Sequence, residues 1–223
     1  MKGRNMTAAW MVAGAGAAIA LVYQARVNDA ASVLRSTMKT APVALFALAA
    51  VLGGGSWLLV LGLALGALGD LALSRKGEAA FMAGLGSFAL AHLAYAVLFV
   101  GVDLRLALFD LTATRWLGVA ALVIMAQSTV IWLLPFASGL KRPVAAYVAI
   151  ITVMGVAALH LPVTHGLVML GAGLFVLSDL VLSVELFRME EDSPSTRIAS
   201  HLVWPLYWIG QGLILVGMLM QGG

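Results

Sequence analysis

Cysteine is missing altogether, which removes disulfides and thiolate-held metal sites from consideration. Charge is nearly as scarce. Thirteen Lys and Arg and ten Asp and Glu in 223 residues leave a net +3, scattered over short turns with no basic block long enough to bind nucleic acid. Polar surface is also lacking: with 62% of residues hydrophobic and 10% charged, the chain cannot cover a globule, and it belongs in a bilayer. The turns, such as Gly53-Gly54-Gly55 or 161–166, are too small to be domains. Lys2 and Arg4 followed by an apolar run resemble a signal-peptide start, but the run continues through Val22 and further runs follow. It reads as a retained first helix.

What is present is a series of eight apolar runs, at about 7–22, 43–52, 57–73, 79–100, 116–136, 144–161, 167–187 and 198–220. Most approach the roughly 20 residues that a spanning helix needs; the second is short unless it extends back past Pro42. Pro42 and Pro143 each suit a first helical turn, where a missing N–H is no loss. The expectation is one all-α membrane domain, residues 1–223, with eight transmembrane helices. Basic residues orient it. Lys2, Arg4, Arg105 and Arg115 fall on one side, against Arg26, Arg35, Lys39, Arg75, Lys76, Lys141, Arg142, Arg188 and Arg197 on the other. The richer side is expected in the cytoplasm and both termini outside.

The chain is organised around 65–95. Asp70 lies inside an apolar run, with Gly66 and Gly62 four and eight residues before it and Ser74 four after, so that small residues and the carboxylate share one helix face. Phe81, Gly84, Phe88, His92, Tyr95 and Phe99 form a stripe on the next run. The pattern recurs: Leu-Gly-Asp-Leu-Ala-Leu-Ser at Asp70 returns as Leu-Ser-Asp-Leu-Val-Leu-Ser at Asp179, each aspartate followed 22 residues later by a histidine (His92, His201) and 25 later by an aromatic (Tyr95, Trp204). Lys39 to Pro42 is echoed by Lys141 to Pro143. Four helices separate the copies, the spacing of a parallel repeat about an axis along the membrane normal. Asp70 falls near the cytoplasmic end of its run, and Asp179 about eight residues, or ~12 Å, from that end of its own. Acids kept inside apolar helices are costly, and function is their usual reason.

Taken in order, Lys39-x-x-Pro42, Gly69-Asp70-x-x-Leu73, Phe88-x-x-x-His92-x-x-Tyr95, Arg142-Pro143 with Tyr147, Gly171-Ala172-x-x-Phe175-x-x-Ser178-Asp179-x-x-Leu182 and Tyr207-x-x-x-Gln211 resemble the YhhN family of membrane lysoplasmalogenases, from about Lys39 to the C-terminus. The resemblance implies an eight-helix integral membrane hydrolase that cleaves the vinyl ether bond of lysoplasmalogen to a fatty aldehyde and glycerophosphoethanolamine or glycerophosphocholine. Asp70 and Asp179 are the expected catalytic residues, with acid and base not assigned between them, and Lys39, His92, Tyr95, Arg142, Tyr147, Tyr207 and Gln211 the expected substrate contacts. The partners expected are a lysophospholipid substrate and membrane lipids, with no cofactor. The expected location is a bacterial inner (plasma) membrane, with the site toward the cytoplasmic half.

The chemistry is consistent with those residues. Hydrolysis of a vinyl ether begins with protonation of its β-carbon; water then attacks the oxocarbenium ion, and the hemiacetal collapses to aldehyde and alcohol. Two carboxylic groups in a low-dielectric site suit this, because burial favours the protonated form and mutual repulsion separates the two titrations. The ionised partner stabilises the cation, as in glycoside hydrolysis. Lys39 and Arg142 would hold the phosphate, although the positive-inside bias alone places basic residues there. Asp70 has a second reading, pairing with Arg75 at the surface. Trp204, Tyr207 and Trp208 read equally as an interfacial belt or a pocket lining. No set of His and carboxylates shows ligand spacing, since His160 and His165 fall across the membrane from His201, so no metal is expected. A proton-coupled transporter of a small amphiphile, using the same aspartates, is the alternative function.

Overall fold

The computed structural model describes residues 5–103, 112–190 and 193–222. Among these it is all-helical, with eight long helices: α1 Met6–Gln24, α2 Val33–Leu52, α3 Trp57–Leu73, α4 Glu78–Val102, α5 Ala113–Leu133, α6 Lys141–Leu159, α7 Gly166–Arg188 and α8 Pro194–Gln221. The few polar residues are spent at helix starts. Asn5, Ser32, Ser56 and Ser193 each accept the N–H of the residue three further on, at 3.0 to 3.3 Å, which satisfies donors that a helix start leaves open. Pro194 then opens α8, and Gly222 closes it in the left-handed region at φ 99°.

The second helix differs from the sequence expectation. It begins at Val33, ahead of the apolar run at 43–52, and Pro42 sits in its interior rather than in its first turn. The start signal is Ser32; Arg35 and Lys39 interrupt the apolar pattern without interrupting the helix, because near a helix end charged heads still find polar partners. Arg35 donates to the Val27 carbonyl at 2.6 Å. Pro143 does fall in the opening turn of α6.

Six helical segments are long and apolar enough to cross a membrane: Met6–Gln24, Glu78–Val102, Ala113–Phe136, Ser138–Leu159, Val163–Arg188 and Pro194–Gln221. α3 is apolar but has 17 residues, and α2 carries Arg35 and Lys39. Neighbours in sequence pack in space along α1 to α4 and again along α5 to α8; α4 also lies on α6, and α2 on α8. The tightest crossing joins α7 to α8, where a Cβ at Gly171 would stand 2.6 Å from the Gly210 carbonyl oxygen and 2.9 Å from the Ile214 nitrogen. Only glycine allows backbones this close. α5 is the outlier. It buries only Thr129 and Leu133 and scarcely touches α7, so an open slot runs between α5 and α7 with α6 as its floor.

Candidate active site

Two buried carboxylates sit in two adjoining sets of side chains. In the first, Asp70, 2% exposed on α3, accepts a hydrogen bond from the Tyr207 hydroxyl on α8 at 2.8 Å. Gly66, one turn earlier, makes this reach geometrically open: a Cβ there would lie 3.1 Å from the Tyr207 oxygen and 2.8 Å from Gln211 Nε2. Gln211 is fully buried, and its Oε1 accepts the Tyr95 hydroxyl at 2.5 Å. Its amide nitrogen has no well-aligned acceptor. Asp70 thus does not turn to Arg75 and the surface; it ends a chain of side chains from α3 through α8 to α4. Lys39 is close enough for its charge to act on Asp70 and also on Glu185 of α7.

In the second set, Asp179 on α7 accepts from the Tyr147 hydroxyl of α6 at 3.2 Å and faces His92 of α4, whose Nε2 lies 3.1 Å from the same oxygen, Oδ2. The tautomer of His92 follows from its other nitrogen. Nδ1 is 2.6 Å from the Phe88 carbonyl oxygen, and a carbonyl can only accept, so Nδ1 carries the hydrogen. In a neutral ring Nε2 therefore presents a lone pair to a carboxylate oxygen, without the alignment of a hydrogen bond. His92 and Asp179 thus face each other inside the bundle, with the imidazole wholly buried.

An aromatic wall joins and separates the two sets. Tyr207 packs against Phe175 and Phe88 at ring distances of 5.3 and 5.6 Å, and Phe175 stacks obliquely on His92 at 4.4 Å. Of the two acids, Asp179 lines a partly open apolar cleft, with Phe88, Met125, Tyr147, Val176 and Ser183 among its walls. Mostly carbon walls, with one acidic group, one phenol and the hydroxyls of Thr129, Thr152 and Ser183, suit an aliphatic molecule whose reactive atoms lie next to the carboxyl. Among the described residues, no three His, Asp or Glu side chains gather to hold a metal.

Among known proteins, the YhhN family model matches residues 34–218. The chain belongs to the YhhN family. Neither a curated protein nor a solved structure matches it. In this YhhN chain α1 precedes the matched residues yet is part of the packing: the Trp204 indole N–H donates to the Ala20 carbonyl at 2.9 Å, its ring meets Tyr23 edge-on at 4.6 Å, and Gln24 donates to the His201 carbonyl at 3.1 Å. Trp204 and Tyr207 are therefore core residues of this YhhN bundle, 3% and 4% exposed, and not an interfacial belt.

The structure gathers most of the residues singled out in sequence. Asp70 goes with Tyr207, Gln211, Tyr95 and the neighbourhood of Lys39; Asp179 goes with His92 and Tyr147. Arg142 is not brought in, being exposed at the start of α6. Glu185 was missed. Its Oε1 accepts the Ser200 hydroxyl at 2.5 Å and its buried Oε2 has no hydrogen-bond partner. The signal was an acid inside the apolar run 167–187, two turns beyond Asp179 and on the face of Ser178 that turns to α8.

Proposed function

We propose that this YhhN chain is a membrane hydrolase that cleaves the vinyl ether bond of lysoplasmalogen, yielding a fatty aldehyde and a glycerophospho-head group. The observation that carries the reading is the His92–Asp179 pair: a carboxyl group 3.1 Å from a buried imidazole nitrogen, with a tyrosine hydroxyl on the same oxygen, at the wall of an apolar cleft. Proton transfer to carbon is the demanding step in vinyl ether hydrolysis, and this pair holds the proton where an aliphatic chain would lie. The pair gives its proton to the β-carbon and Asp179, now ionised, stabilises the oxocarbenium ion. Water adds to C1, the carbon bonded to the ether oxygen, and returns a proton to Asp179; the hemiacetal then passes its hydroxyl proton to the departing glycerol oxygen and leaves the aldehyde. Asp70, hydrogen-bonded by Tyr207 on the other side of the aromatic wall, is the second acid of the site. Lys39 binds the phosphate from the inner side, with Arg142 at the surface. No cofactor enters.

In the same reading all eight helices cross the bilayer as two parallel halves, the site lies in the cytoplasmic half of a bacterial plasma membrane, and the helices form one domain. The test is the purified protein in heavy water with lysoplasmalogen, diacyl plasmalogen and an ester lysophospholipid. Aldehyde is expected from lysoplasmalogen, bearing one deuterium at C2 because the β-carbon takes its proton from the site. Fatty acid as product, or aldehyde without deuterium at C2, would overturn the mechanism.

A further inference from the structure

The cleft at Asp179 does not end there. Its walls at Met125 of α5 and Val176 of α7 are also walls of a second cavity, farther along the slot between α5 and α7 and away from the basic side, lined by Gly118, Leu122, Gly155, Met169, Gly173 and Leu177 among others. All of its lining residues are apolar or glycine. It offers about 250 Å³ of space, continuous with the cleft at Asp179 through Met125 and Val176. We infer that this second cavity seats the far end of the substrate's aliphatic chain, and that Gly173 sets how long a chain it admits. This rests on the reading of the Asp179 cleft as the place where the chain's reactive end is held.

Three glycines line the cavity, and two are explained by packing. A Cβ at Gly118 would lie 3.0 Å from Leu159 Cδ1, and one at Gly155 would lie 3.1 Å from Leu122 Cδ1. Gly173 differs, since a Cβ there would have no heavy atom within 4 Å. A glycine in mid-helix costs about 0.5–1 kcal/mol relative to alanine, and no neighbouring side chain requires it here. Gly173 is exposed, and what it supplies is empty space in the wall where the groove opens outward. Six residues of helix separate it from Asp179, ~9 Å at the usual rise, and Met169 at the far end is ~15 Å from Asp179. A chain whose first carbons lie at Asp179 therefore runs past Met125 and Val176 and reaches Gly173 well before its end. A short chain stops before it.

The test uses the full chain in phosphatidylcholine nanodiscs, as wild type, Gly173→Ala and Gly173→Leu, with Leu177→Trp as a second way to narrow the same cavity from an exposed position. Binding is read first, from thermal stabilisation by ester lysophosphatidylcholines of increasing chain length, which need not be hydrolysed. Wild type and Gly173→Ala are expected to gain stabilisation steadily with length. Gly173→Leu and Leu177→Trp should match them for short chains and level off for long ones. Turnover of a lysoplasmalogen series should follow, Gly173→Leu and Leu177→Trp losing roughly tenfold or more in kcat/KM for the longest chain and little for the shortest. One chain-length profile shared by all four proteins in binding overturns the inference. A shift in the binding profile with no wild-type turnover of any lysoplasmalogen supports the chain seat and sinks the proposed reaction instead.

Discussion

At the scale of single residues, the two acids differ in what holds them, and that difference has consequences for mutation. Asp179→Asn removes the carboxyl group that faces His92 while keeping an oxygen for Tyr147 to donate to. The expected result is a loss of roughly 10²–10⁴-fold in kcat with expression and unfolding close to wild type. Near-wild-type turnover in a well-folded Asp179→Asn protein would take this residue out of the mechanism and favour a structural or transport role. Asp70→Asn should also remove most activity. If the two act as one machine, the double variant is little worse than either single. Tyr207→Phe separates stability from chemistry. It leaves the buried Asp70 carboxyl without its donor, at a cost of about 1–3 kcal/mol, and denaturant unfolding in mixed micelles measures it. An unchanged midpoint would show that the hydroxyl contributes nothing to holding Asp70.

At the scale of helices, the site depends on how closely α7 can approach α8, because α7 carries Asp179 and Phe175 and α8 carries Tyr207 and Gln211. Gly171 and Gly210 face each other across this crossing, and a methyl on either meets backbone atoms at 2.6 and 2.8 Å. Backbone cannot rotate aside as a side-chain tip can. Gly171→Ala or Gly210→Ala should therefore push the helices apart and destabilise the protein by about 1–3 kcal/mol or more, with activity falling as the Tyr207–Asp70 distance opens. Gly86→Ala on α4 is the control. No heavy atom would stand within 4 Å of its Cβ, so it should be neutral or add up to ~1 kcal/mol through helix propensity. Equal midpoints for Gly171→Ala and Gly86→Ala would show that the crossing tolerates the methyl. Helix α1 behaves likewise as a packed element: Trp204→Phe deletes its hydrogen bond to Ala20 and should cost about 0.5–1.5 kcal/mol.

At the scale of the whole molecule, the nine basic residues of one side against four on the other set the expected orientation. A reporter active only in the cytoplasm, fused after Gly223, should stay dark, while one active only outside it should light. The opposite pattern would turn the protein over and move the site to the outer half of the membrane.

The sequence by itself determined the solvent and the class of fold, because 62% hydrophobic residues with almost no charge leave no alternative to apolar helices in a bilayer. It also marked Asp70 and Asp179, since a carboxylate inside an apolar run stands out against its neighbours. Family membership was legible too, from short motifs in a fixed order. The start of α2 was not legible, because the signals there are a single capping serine and two charged residues that look like a loop when read for hydrophobicity. Glu185 carried the same signal but lies near the end of its run, three residues before Arg188, where a charge reads as a helix-end residue. Which tyrosine serves which acid was decided only by the tertiary structure, as was the pairing of His92 with Asp179 from a distant helix. Those contacts depend on the rotation and crossing of α4, α6, α7 and α8, set by glycines and aromatic rings that meet across helices. Spacing along one chain fixes which face a residue lies on, and carries no information about which other face will meet it.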